Sequence, residues 1–227
     1  METILAKISI MLVPALFAVT LHEVSHGYVA ERLGDPTARL LGRLTLNPLR
    51  HLDPIGTIAL LYFGFGWARP VPVNFNNLRR PHQDMIWVAV AGPLTNFAVA
   101  ALSALFLRFL HLVPEIFSAQ DTLSRVLEPL GLMVAISLYI NVILGVFNLL
   151  PIPPLDGGRV LTGILPAKPA QALARLEPFG FMLIIFLIFF TDIWGLFLAP
   201  VISTLVSLLA GPQVFMVERA IHFLLPR

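Results

Sequence analysis

Long apolar runs alternate with short polar segments along almost the whole chain. Ile8 to Thr20 carries no charge, and the wider stretch Ile4 to Ala30 predicts a first helix that can cross a hydrocarbon core of about 30 Å, with Pro14 expected to kink it. Glu31 to Pro54 is the most polar segment, setting Arg32, Arg39, Arg43 and Arg50 against Glu31, Asp35 and Asp53, and predicts an aqueous or interfacial loop. Ile55 to Gly66 is apolar again but too short to span, which suits a re-entrant or interfacial hairpin. Trp67 to Phe75 (WARPVPVNF) alternates prolines with valines, as an extended strand at a sheet edge tolerates. A re-entrant or small β-like interfacial segment is therefore expected near residues 55–76.

Met85 to Leu110 and Gly131 to Leu150 predict two further full-length helices, with His111 to Glu128 as a loop between them. Each carries a narrow polar stripe at helical spacing, Gly92, Asn96 and Ser103 on one and Ser137, Asn141 and Asn148 on the other, so the two helices are expected to face one another or share a cavity. Gly92 reads as a packing residue; Asn96 suits either packing or a site role. Phe179 to Phe190 and Leu196 to Leu209 form two more apolar runs joined at Thr191 to Gly195, a tight helical hairpin or one long bent helix, and Val214 to Arg227 is expected at the interface. The predicted fold is an all-α polytopic membrane protein of about five to six transmembrane helices. It is a single membrane-embedded domain over residues 1–227, with a catalytic core at about 4–160 and an accessory hairpin at about 177–210.

Composition agrees with this class: 57% of the 227 residues are hydrophobic, 12% are charged, and mean hydropathy is +0.85. Soluble domains carry about 25% charged residues. The net charge of +2 does not mark a nucleic-acid binder, because the basic residues are dispersed between apolar runs. Ten of the fifteen Lys and Arg residues fall in the segments 31–54, 67–82 and 151–177, whereas 111–128 is acidic, so the positive-inside rule puts the basic side in the cytoplasm. The first run lacks a small-residue cleavage site and is expected to be retained. With no cysteine, any metal must be held by nitrogen and oxygen ligands.

The chemistry starts in the first helix, where LHEVSHG (Leu21 to Gly27) puts two histidines and a glutamate into apolar surroundings. An ionisable group at bilayer depth costs about 2.5 kcal/mol or more, so such residues mark functional sites by default. His22 and His26 are four apart, which on a helix stacks both imidazoles on one face within reach of one metal. Glu23 beside them is the general base of an H-E-x-x-H site, taking a proton from water that the metal activates. An ordinary polar pair inside a helix bundle is the plainer alternative.

A catalytic zinc has three protein ligands and one open position. Asp156, in Pro151 to Gly158 (PIPPLDGG), is the best third candidate: the prolines set an extended path, and Gly157-Gly158 is expected to provide dihedrals that other residues resist. By itself the motif also fits a helix-terminating turn. Glu31 and Asp53 are nearer in sequence but lie in the solvated loop. A metal transporter or sensor with the same His and Asp ligands is the rival from another class, although transport calls for ligand sets across the bilayer and Glu23 is not needed as a ligand.

The stretches HEVSHGYVA, AGPLTNF and FNLLPIPPLDGGR resemble the site-2 protease family of intramembrane zinc metalloproteases, which pairs HExxH on one span with N-x-x-P-x-x-P-L-D-G on a later one. Here the second motif is matched by Asn148, Pro151, Pro154, Leu155, Asp156 and Gly157. The resemblance spans most of residues 8–160 and is of the compact type, since the PDZ domain that larger members insert between the motifs is absent. It implies that His22, His26 and Asp156 bind one Zn2+ ion, that Glu23 is the catalytic acid/base, and that Asn148 holds the substrate or its oxyanion; Asn96 is the second substrate-binding candidate. It further implies transmembrane protein or peptide substrates, cleaved in or near their spans in regulated intramembrane proteolysis, and an active site toward the cytoplasmic side of a bacterial or archaeal cell membrane. Oligomeric state is left open.

Overall fold

The structure is a computed structural model and describes residues 2–56, 58, 67–111 and 122–224. Three long helices dominate: α1 (Glu2–Arg32), α2 (Pro81–His111) and α3 (Thr122–Asn148). Shorter helices follow as α4 (Asp156–Ile164), α5 (Ala167–Ala174), α6 (Gly180–Phe190), α7 (Ala199–Ala210) and α8 (Val214–Leu224). Among the described residues four helices are long and apolar enough to cross a membrane, or up to five if a bent pair counts as one span. The protein is thus an all-α polytopic membrane protein with slightly fewer spans than the five to six expected.

The difference lies in the carboxy-terminal third. At eleven residues α6 is too short to span alone, and it forms a candidate span only with the Ala167–Phe179 segment across a 77° bend. The run from Trp194 through α7 and α8 to Leu224 counts as one candidate span, and Val214 to Leu224, expected at the interface, forms α8 at its end, after a break at Gly211. α6 ends at Phe190, and the chain resumes as a π turn at Trp194–Leu198 that leads into α7, so the two apolar runs form two helices and not one long bent helix.

Helix boundaries move for local reasons. α2 begins at Pro81 and not Met85, since proline is well placed at a first helical position and the Asp84 carboxylate reaches back to accept the Arg80 backbone N–H at 2.8 Å. α3 begins at Thr122, inside the stretch read as loop, and runs through Pro129, whose missing N–H removes only one rung of the ladder. Most of the expected 55–66 hairpin lies outside the described residues. In the neighbouring segment the β character among the described residues is a single isolated antiparallel bridge, Leu52 to Ala68.

The chain divides into two compact units. The first comprises residues 1–18, 96–146 and 195–227. It carries the polar stripes: Asn96 donates its amide to Asn141 Oδ1 at 2.8 Å and the Ala18 carbonyl at 3.4 Å, and the Ser103 and Ser137 hydroxyls are 3.0 Å apart. Buried polar groups need such partners, and here they join α1, α2 and α3. Where the helices touch, Gly145 makes room for the ring of Phe97, which lies 2.8 Å from where a β-carbon would be.

The second unit comprises residues 19–95 and 147–194. The end of α1 and the start of α2 meet in a small core of Ala30, Leu78 and Val88, packed by Val29, Leu33, Val73 and Phe75. Asp35, fully buried, accepts from the Thr37 hydroxyl, the Thr37 backbone N–H at 3.2 Å, the Asn74 N–H at 2.7 Å and the Asn77 amide at 2.9 Å. Burial pushes this carboxyl's pKa up, and the hydrogen bonds outweigh it, leaving it below the usual carboxylate range. Asp35 thereby ties the segment 67–77 to the turn that follows α1.

Candidate metal centre

Helical periodicity carries His22 and His26 onto one face of α1, and both are buried. Their rings meet edge to face with centroids 4.7 Å apart. Asp156, the first residue of α4 and also buried, brings Oδ2 to 3.2 Å from His22 Nε2 and 3.3 Å from His26 Nε2, while the two Nε2 atoms are 3.1 Å apart. The residues predicted as ligands from two motifs some 130 positions apart are thus brought together.

Proton placement argues that this triangle is a cation site. His26 Nδ1 lies 2.7 Å from the Val88 carbonyl, which can only accept, so Nδ1 carries the proton and, in the neutral ring a metal requires, Nε2 presents a lone pair. Asp156 Oδ2 is buried and has no hydrogen-bond donor. Two lone-pair atoms 3.3 Å apart repel, and His22 can place at most one proton among the three. A tetrahedral zinc ion with ligands at about 2.0–2.1 Å would space them about 3.4 Å apart. The donor set of two imidazoles and one carboxylate therefore fits a single zinc ion.

The glycines of PLDGG act differently from the expectation. Neither has a positive φ, and both lie in the first turn of α4. A β-carbon on Gly157 would sit 2.2 Å from the Leu149 carbonyl oxygen, and one on Gly158 would sit 2.4 Å from Pro153 N. Their role is close approach: the prolines bend the chain back against the start of α4, and only glycine fits there. At the start of that helix the Asp156 carboxylate also meets the positive end of the dipole.

Glu23 is half-buried and its Oε2 accepts the Val71 backbone N–H at 2.8 Å. Asn148, the last residue of α3, belongs to the same unit, half-buried and eight positions before Asp156. Asn96 belongs to the other unit, inside the network with Asn141. Three contributions escaped sequence reasoning: the Val88 carbonyl, the Val71 N–H and the role of Gly92. A β-carbon on Gly92 would lie 2.5 Å from both His22 Cε1 and His26 Nε2, so this glycine lets α2 close over the ligands. The available signal was a mid-helix glycine four residues after Val88, costing about 1 kcal/mol against alanine in an exposed helix. Gly92→Ala is expected to push the imidazoles apart and weaken metal binding about 10- to 100-fold, the range for losing a group that orients a ligand, as measured by competitive chelator titration.

Residues 10–190 match the family model of Peptidase family M50. The chain is 38% identical to YwhC of Bacillus subtilis over 82% of its own length and 81% of that protein's. It is 31% identical to Rip2 of Mycobacterium tuberculosis over 76% of its length, and 27% identical to MJ0392 of Methanocaldococcus jannaschii over 70%. Those matches span 64% and 35% of the two relatives, less than two thirds of either. All three names include the words zinc metalloprotease, provisionally for the first two. No solved structure matches the chain. Since the matched span covers most of the chain and contains Glu23 and the three converging residues His22, His26 and Asp156, the protein belongs to peptidase family M50, the site-2 protease family of metalloproteases.

Proposed function

We propose that this metalloprotease is zinc-dependent and hydrolyses peptide bonds in or near the transmembrane segments of membrane-protein substrates, as a step in regulated intramembrane proteolysis. The observation that carries the reading is the convergence of His22, His26 and Asp156 beside Glu23, on a helix apolar enough to cross a membrane. Zinc, when bound, supplies Lewis acidity at the scissile carbonyl and lowers the pKa of water toward about 7.

Within that site the chain's own groups divide the work. His22, His26 and Asp156 hold the ion. Glu23, with Oε2 held by the Val71 N–H, takes the proton of the attacking water at Oε1 and delivers it to the leaving amine. Asn148 offers its amide to the substrate or to the oxyanion. Asn96, whose amide nitrogen is committed to Asn141 and the Ala18 carbonyl, bears on substrate binding through the helices it joins. The basic segments around the site orient it toward the cytoplasm.

The test uses the purified protein in liposomes with a membrane-embedded peptide. Cleavage is expected, with loss on treatment with a zinc chelator and recovery on adding Zn2+. Chelator-resistant cleavage, or none under any metal, would refute the reading. Zinc movement across the liposome membrane without cleavage would favour a transporter.

A further inference from the structure

The segment LGRLTLNPLRHLDP, residues 41–54, is the later part of the polar stretch that follows α1 and has no part in the chemistry above. Its Arg43 is 91% buried, which arginine rarely is without a reason. The position is costly: Nε has no hydrogen-bond partner, and burial and the like charges of Arg69 and Arg50 weigh against the guanidinium's charge, which the Glu23 carboxylate favours. Its hydrogen bonds go to the backbone, where Nη2 donates to the Arg69 carbonyl at 2.9 Å and the Pro70 carbonyl at 3.3 Å.

The Pro70 carbonyl and the Val71 N–H belong to one peptide unit. In a trans peptide these groups point in opposite directions within one plane, so holding the carbonyl on one side aims the N–H on the other. The Val71 N–H is aimed at Glu23 Oε2, 2.8 Å away. A cation, a peptide group and a carboxylate stand in line, each hydrogen bond polarising the next. Pro70 and Pro72 restrict the backbone on either side of Val71 and offer no competing donors. Gly27, one turn beyond Glu23 on α1, lets the segment come close: a β-carbon there would lie 2.8 Å from Val71 Cγ1.

We propose that Arg43 is a positioning residue for Glu23, acting through the Pro70–Val71 peptide to hold the carboxylate in one orientation. The inference rests on the reading of Glu23 as the proton-transfer group. Arg43 makes no contact with His22, His26 or Asp156 through this line, so its loss bears on proton transfer and not on the metal.

The test compares wild type, Arg43→Met, Arg43→Lys, Val71→Pro and the Arg43→Met/Val71→Pro double variant. Arg43→Met is expected to retain its zinc, keep KM within about twofold and lose about tenfold or more in kcat, with faster hydrogen exchange at the Val71 amide. Arg43→Lys, which presents one nitrogen where a single Nη2 now serves both carbonyls, should recover part of both. The double variant should be no slower than Val71→Pro alone, because both changes cut one line. Wild-type exchange at Val71 in Arg43→Met, losses that multiply in the double variant, or activity falling in step with zinc content would each overturn the proposal. If Arg43→Met does not fold, Arg43→Lys decides in its place: Val71 exchange faster than in wild type together with a kcat between those of wild type and Val71→Pro supports the proposal, and wild-type values of both refute it. Absence of cleavage by wild type would refute the proposed function, while exchange at Val71 would still decide the role of Arg43.

Discussion

Glu23→Gln is expected to retain a full complement of zinc and to lose cleavage by about 10²- to 10⁴-fold, the usual contribution of a positioned acid/base group. The separation of the two effects follows from the geometry. The ion's proposed ligands are His22, His26 and Asp156, whose donor atoms lie 3.1–3.3 Å apart without any contribution from Glu23. A glutamine is nearly the same shape, and its carbonyl oxygen can still accept the Val71 N–H, so the local backbone has no cause to move. The amide cannot take a proton. Elemental analysis of the purified variant, run beside steady-state cleavage of an embedded peptide, checks both halves. Wild-type cleavage by Glu23→Gln would show that another group is the base.

Asp156→Ala is expected to lose most of its zinc, and cleavage with it. Two imidazoles on one helix face remain, but the only anionic member of the triad is gone. The loss exceeds the 10- to 100-fold typical of a group that merely orients a ligand, because a direct bond and the charge that balances the ion are both removed. The fold should survive: Asp156 is the first residue of α4, and the close contacts made by Gly157 with Leu149 and by Gly158 with Pro153 do not use its side chain. Zinc content after dialysis against a weak chelator, with helical content by circular dichroism as the control, is the measurement. Full zinc retention would show that a different third ligand completes the site.

Much of the site was legible in the chain because the relevant relations are local. His22 and His26 share a face wherever that stretch is helical, and the cost of ionisable groups in an apolar run marks them as functional. The membrane class and the three long helices followed from apolar run length, and the two helix starts that moved most did so where capping by Asp84 or tolerance of Pro129 intervened. The carboxy-terminal spans were harder, since α6 is eleven residues long and whether a short apolar helix counts as a span depends on the direction its neighbours take.

The residue types alone thus determined that an HExxH with the spacing of a metal site lies in a long apolar helix, and that Asp156 has the right chemistry to complete a ligand set. Only the tertiary structure decided how these groups are held. The Val88 carbonyl that sets the His26 tautomer lies 62 positions away, and the Val71 N–H that holds Glu23 lies 48 away. Gly92 and Gly157 matter for atoms that are absent from them, seen only once the His22 ring and the Leu149 carbonyl stand where a β-carbon would go. Helical periodicity relates residues three or four apart, whereas contacts between distant backbone segments arise from packing, which no local pattern encodes.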